Sequence, residues 1–187
     1  MKNSKTLTLI LLFIAFSLVN VSAQNNTFTL KSKDIGGQFS LEQVYDKFDC
    51  GGQNISPQLF WENAPNETKS YAITIYDPDA PTGSGWWHWL AFNIPATINE
   101  IPKNAGNPEL KLLPTTVIQS INDYGSYGYG GPCPPKGDKT HRYIITVYAL
   151  NTGKLELNKN TNPATVGFYL NNHSIAKASL IIYYGRK

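Results

Sequence analysis

Two runs, Ser70–Tyr76 (SYAITIY) and Arg142–Leu150 (RYIITVYAL), constrain this chain more than anything else in it. Each is dense in β-branched and aromatic residues and is bounded by residues that cannot continue a sheet, which is the signature of a strand packed on at least one face. A third run, Trp87–Ile94, has the same character and follows the first after the loop DPDAPTGSG. Proline lacks the N–H a sheet ladder needs and pushes the residue before it toward extended geometry, so Asp77-Pro78-Asp79-Ala80-Pro81 must end the first strand. Strand–loop–strand is therefore the repeating theme.

Weaker strand signals lie at Phe28–Ser32, Gln38–Tyr45, Gln58–Glu62 and Thr115–Ile121. The span from Pro95 to Leu113 has no period and reads as a long surface connection. One helix is expected: Asn162 can cap it, Pro163 suits its first turn, and ATVGFYLNNH forms its body. Ile175–Tyr184 fits either a helix or a strand, and its β-branched and aromatic finish favours a strand. These elements predict a mainly β, antiparallel domain with one or two short helices; periodicity alone leaves sandwich and barrel open.

The first 23 residues stand apart. MKNSK is a short basic start, LTLILLFIAFSLV is an uninterrupted apolar run, and Val21-Ser22-Ala23 is a small-residue cleavage pattern. Together they read as a secretory signal peptide, residues 1–23, followed by one domain over residues 24–187. The implied location is the periplasm or the extracellular space, and no later run is long enough to span a membrane. Removing Lys2 and Lys5 brings 16 basic residues close to balance with 13 acidic ones, and no Lys/Arg run remains to mark a nucleic-acid partner. In an oxidising compartment the two cysteines, Cys50 and Cys133, suit either one bridge or two free thiols.

Polar residues gather where loops meet strands. Asp77 and Asp79 follow the first run, His88 lies within WWHWL, and His141, Arg142 and Tyr143 follow the rigid loop GGPCPPKG. A turn-capping Asp is the plainer reading of Asp77, and a lone His in an apolar strand is usually a core residue; two histidines at such junctions change that balance. Strand alternation places Trp86, His88 and Leu90 on one face and Trp87 and Trp89 on the other. It also turns Arg142 away from His141 and Tyr143, toward an ion pair. Asp79 is expected to bond loop N–H groups and hold its turn, with Pro81. Two imidazoles, a tyrosine hydroxyl and loop N–H groups make a donor set for an oxyanion. If both imidazoles carried charge, affinity would fall as pH rises through ~6.5. No Ser stands in G-x-S-x-G and no His pair has local metal-ligand spacing, so neither catalysis nor a metal or other cofactor is expected.

In order and spacing, DPDAP, W-x-H, GPxPPxG and HRY resemble the signature regions of the phosphatidylethanolamine-binding protein family, in its bacterial, Raf kinase inhibitor-like branch. NISPQLFW (Asn54–Trp61) and HSIAKASLIIYYG (His173–Gly185) agree with that resemblance. It implies a Greek-key β-sandwich and a non-enzymatic binding protein. The implied pocket residues are Asp77, Trp86, His88, His141 and Tyr143, with Gly131, Pro132, Cys133 and Pro134 as a wall. The ligand would be a small phosphate-like or carboxylate-like anion, such as a phospholipid headgroup. The alternative is a protein-interaction module that inhibits a protease, using the loops Asn99–Leu113 and Tyr124–Tyr129.

Overall fold

In the computed structural model, which describes residues 27–187, eight strands form two antiparallel sheets. The expected signal peptide lies outside the described residues. The larger sheet contains β3 (Ser70–Asp77), β4 (Trp86–Pro95), β6 (Ile118–Gln119), β7 (His141–Leu150) and β8 (Ser174–Tyr184), in the order β6-β4-β3-β7-β8. The smaller sheet has β1 (Thr29–Lys31), β2 (Leu59–Glu62) and β5 (Glu100–Ile101), in the order β1-β2-β5. After β4 the chain visits the small sheet, returns, and crosses to the far side of β3 to enter β7. This non-sequential connection makes the sandwich Greek-key in type rather than a meander.

The facing surfaces enclose one core. Leu30, Leu59, Trp61 and Ile101 from the small sheet pack against Tyr71, Ile73, Ile75, Trp89, Ile145 and Val147 from the large one. The outer face of the large sheet is also apolar and is covered by α1 (Pro163–His173). Asn162 caps this helix by accepting the Thr165 N–H at 2.9 Å. Its residues Val166 and Leu170, four apart and so on one helix face, bury against Ala72, Leu90, Phe92 and Leu150.

Two expected strands shrink. Gln38–Tyr45 keeps only an isolated bridge from Gln38 to Tyr183, because the Gln43 side chain accepts from the Ser40 N–H and hydroxyl and bends the chain. Thr115–Ile121 reduces to Ile118–Gln119, since Val117 N–H turns back onto the Pro114 carbonyl and Ile121 N–H bonds Lys159. The long connection after Pro95 holds β5 and a 3-10 turn, Pro108–Leu110.

A further correction concerns β4. Ile75 pairs with Trp89 and Tyr76 with Trp87, so His88 is an extra residue in a β-bulge. The bulge resets the alternation: Trp89 joins the sandwich core, while Leu90 joins the helix-covered face with Trp87 packed beside it. The expected grouping of Leu90 with His88, and of Trp89 with Trp87, is thus reversed. Bulges re-aim side chains in this way, often beside functional sites.

Candidate functional site

The end of β3 and the starts of β4 and β7 meet at one end of the large sheet, where Asp77 pairs in register with Trp86. A cavity of about 230 Å³ opens there. Asp77, Trp86, His88, His141 and Tyr143 line it together, with Cys133, Pro134 and Pro135 from one loop and Ala80, Pro81 and Thr82 from another. Gly131 and Pro132 do not line it. A Cβ at Gly131 would run into the Gln43 carbonyl, and its N–H donates to Asn54 Oδ1 at 2.7 Å. The Pro132 carbonyl accepts the Tyr45 N–H at 3.1 Å, so both residues anchor the wall from behind.

Asp77 is buried and uses both oxygens. Oδ2 accepts from His141 Nδ1 at 2.7 Å and Oδ1 from the Asp79 N–H at 2.8 Å. His141 Nε2 donates in turn to Asp138 Oδ2 at 3.2 Å. Burial disfavours charge on His141, but the two carboxylates outweigh it and raise the imidazole pKa above its usual range. Asp138, three residues before His141, was not anticipated; its own pKa is lowered, chiefly by the bond to His141.

His88 is the opposite case. Its Nδ1 donates to the Gly130 carbonyl at 2.7 Å, which leaves the lone pair on Nε2 in the neutral ring. Burial pushes its pKa down to about 4, the Gly130 carbonyl and the Asp77 charge offsetting only part of that. The expected pair of imidazolium donors is therefore not present. One imidazole is neutral, and the other spends both nitrogens on carboxylates.

Asp79 lies behind the cavity. It accepts from Arg142 Nε at 2.8 Å, from Arg142 Nη2 at 2.9 Å and from the Arg142 N–H at 3.0 Å, which locks the DPDAP loop to β7. Alternation had turned Arg142 toward such a pair. The guanidinium holds the Asp79 carboxyl well below the usual carboxylate range.

Two aromatic lining residues, Tyr124 and Phe48, were not among the expected site residues. Tyr124, grouped above with an interaction surface, instead stacks on Tyr45 with ring centroids 4.1 Å apart and meets Trp86 and His88 edge-on. Asn122 shapes its turn, accepting the Tyr124 N–H at 3.0 Å. Phe48 stands at the mouth, 70 % exposed, with φ at 54°. The Cys50–Cys133 disulfide, spanning 83 positions, holds the Phe48 loop against the proline wall. An N-D-Y-G turn is the only signal that could have drawn attention to Tyr124.

Three buried polar atoms of lining residues have no hydrogen-bond partner: His88 Nε2, Tyr143 Oη and Trp86 Nε1. Burial and the nearby Asp77 charge raise the Tyr143 hydroxyl pKa far above its ordinary value, so it remains a donor. Among the lining residues Trp86 thus carries an unpaired donor, Tyr143 a hydroxyl that can donate or accept, and His88 an unpaired acceptor. Among the described residues no group of three His, Cys, Asp or Glu side chains is placed to hold a metal ion, and no helix is long and apolar enough to cross a membrane.

The phosphatidylethanolamine-binding protein family model matches residues 21–185. The chain belongs to that family. Its relatives within the family include the UPF0098 protein YbcL of Escherichia coli K12, 47 % identical over 177 residues that cover 94 % of each chain. The crystal structure of E. coli YbcL superposes with a TM-score of 0.83 at 48 % identity, covering 86 % of this chain and 99 % of that one. The fold also resembles a more distant structure, carboxypeptidase Y inhibitor complexed with its cognate proteinase. That likeness has a TM-score of 0.52 at 19 % identity and covers 86 % and 83 % of the two chains.

Proposed function

We propose that this member of the phosphatidylethanolamine-binding protein family is an exported, non-enzymatic binder of a small phosphate-like or carboxylate-like acid. The observation that carries the reading is the set of three unpartnered atoms, His88 Nε2, Tyr143 Oη and Trp86 Nε1, on residues lining one cavity. A buried polar group left unpaired costs roughly 1–3 kcal/mol, and a ligand oxygen that accepts from the hydroxyl and the indole recovers that cost. Binding without turnover is supported by the lining itself: it includes no serine, and Cys133 is committed to a disulfide. The disulfide also supports export.

Inorganic phosphate, titrated calorimetrically at pH 6 into the wild type and Tyr143→Phe, tests the site. The substitution removes one donor and no packing volume of consequence, so affinity should drop roughly 10-fold while thermal stability holds or rises. Unchanged affinity in Tyr143→Phe would remove the pocket from consideration.

A second reading is inhibition of a protease. Exposed Leu110, Leu112 and Tyr127 beside an apolar groove support it, as does the fold shared with carboxypeptidase Y inhibitor. A carboxypeptidase assayed with Leu110→Ser/Leu112→Ser and with Tyr143→Phe separates the two: loss of inhibition in the first variant alone places the activity on the groove.

A further inference from the structure

Both nitrogens of His141 are occupied by carboxylates, through Asp77 at 2.7 Å and Asp138 at 3.2 Å, so this imidazole has no donor left for a ligand. His88 spends its one proton on the Gly130 carbonyl and presents a bare nitrogen. The nearby cations are engaged outside the cavity. Arg142 and Lys139 pair with Asp79, and Lys136 pairs with Asp49. Arg186 reaches the Pro134 carbonyl at 3.4 Å and the Asp49 carboxylate at 3.8 Å. None of these four residues lines the pocket, whereas Asp77 does.

These contacts set the proton count of any acid that fits. An oxygen near Trp86 Nε1 must accept, one near Tyr143 Oη can accept, and a group near His88 Nε2 must donate. A fully ionised phosphate or sulfate has only acceptors and would bring a lone pair and a second negative charge against His88 and Asp77. We infer that the site takes its ligand as a protonated acid, a phosphate monoester monoanion or an undissociated carboxylic acid, whose own O–H donates to His88 Nε2. This rests on the pocket proposed above and narrows it. A simple phosphodiester has no acidic proton and is disfavoured; a lipid headgroup would have to present a terminal monoester or another donor, such as an ammonium, to His88 Nε2.

The groups that face His88 do not change this count. Asp77 comes from β3, His141 and Tyr143 from β7, Trp86 from β4 and Tyr124 from the connection before β7, with Asp138 behind His141. The phenols stay protonated because burial raises both Tyr124 and Tyr143 well above their ordinary values. Adding a proton to His88 would supply the missing donor, but burial opposes it down to about pH 4.

Methyl phosphate, methyl sulfate and dimethyl phosphate separate the possibilities. At pH 5 all three are monoanions of similar size, and only methyl phosphate carries a proton, which it loses near pH ~6. Calorimetric titration of the protein should give methyl phosphate the tightest binding at pH 5. Methyl sulfate and dimethyl phosphate should be roughly 10- to 100-fold weaker, and methyl phosphate should weaken by a similar factor at pH 8. Equal binding of methyl sulfate and methyl phosphate at pH 5 would overturn the inference and leave the anion pocket standing. Failure of all three probes at both pH values would overturn the pocket with it. His88→Gln supplies an amide donor, so in that variant methyl sulfate should gain on methyl phosphate; an unchanged ratio also counts against the inference.

Discussion

His141→Leu removes the partner of a carboxylate that is 2 % exposed, and the imidazole itself is only 1 % exposed, so solvent cannot take its place. Breaking a buried charge pair from one side costs about 3–5 kcal/mol, most of it for the group left behind. Asp77 retains the Asp79 N–H on Oδ1 at 2.8 Å, which points to the lower end, about 3 kcal/mol. For a domain of this size that is a melting shift of roughly 6–12 °C. Urea unfolding at pH 7 measures it directly. His141→Asn, whose amide can still donate to Asp77, should cost less than half as much, and Asp77→Asn/His141→Leu should recover part of the loss by deleting the stranded charge. The pH dependence adds a sign. The folded pKa of His141 is raised, so its contribution is complete below the ordinary imidazole value of ~6.5 and is lost as pH rises through the folded value. Wild type should show that decline above pH ~6.5, and His141→Leu should lack it. A cost under about 1 kcal/mol for His141→Leu would show that Asp77 does not depend on His141 as a buried partner, and the account of the cavity floor would fail.

The other predictions concern the scaffold around the cavity. Cys50→Ser/Cys133→Ser opens a loop spanning 83 positions, and the chain-entropy relation gives a loss of about 4.5 kcal/mol, with a larger denaturant m-value because the unfolded chain expands. A loss below about 1 kcal/mol would mean that the bridge does not stabilise by restricting the unfolded state. Asp79, with its folded pKa depressed by Arg142, contributes stability above the unfolded carboxyl value of ~3.9 that disappears as pH falls. Arg142→Ala should therefore flatten the dependence of the urea midpoint between pH 5 and pH 2.5, and an unchanged slope would refute the role given to this pair.

What the sequence reveals about this chain follows from which forces are local. β3, β7 and α1 are legible because their signals, β-branched density and an Asn-Pro cap, act within a few residues. β8 is harder: IAKASLIIYY could wind as a helix, and ten register partners in β7 decide for the strand. The bulge at His88 is invisible to any period-2 reading, because an inserted residue appears only against the register of β3. It matters most at the site, where it puts Trp86, His88 and Trp89 on the side of Asp77 and sends Leu90 to the helix. Tyr124 and Phe48 were missed for a related reason. The Asn122 turn that presents Tyr124 is local, but it is held at the site by a long-range tie, the Trp87 N–H donating to Asp123 Oδ2, and Phe48 is placed by the Cys50–Cys133 bridge. Resemblance pointed to Asp77, His88 and His141, which the structure brings together, but the protonation of the two imidazoles depends on Gly130 and Asp138, which the signatures do not encode as partners.

The cavity is costly by the standards of a packed sandwich. Phenylalanine at position 143 would fill much the same space without stranding a polar atom and should stabilise the empty protein, whereas leucine at 88 would remove one unpaired nitrogen only by stranding the Gly130 carbonyl. Retaining three unsatisfied groups beside a buried carboxylate is therefore a local conflict with folding, of the kind that marks sites shaped by binding. The conflict also bears on the proposed ligand. A simple anion would satisfy the hydroxyl and the indole but leave His88 unpaired and face Asp77 with undiluted charge. On the reading proposed above, an acid that retains one proton would satisfy all three groups and add at most one negative charge, and so would resolve the arrangement most costly to the empty fold.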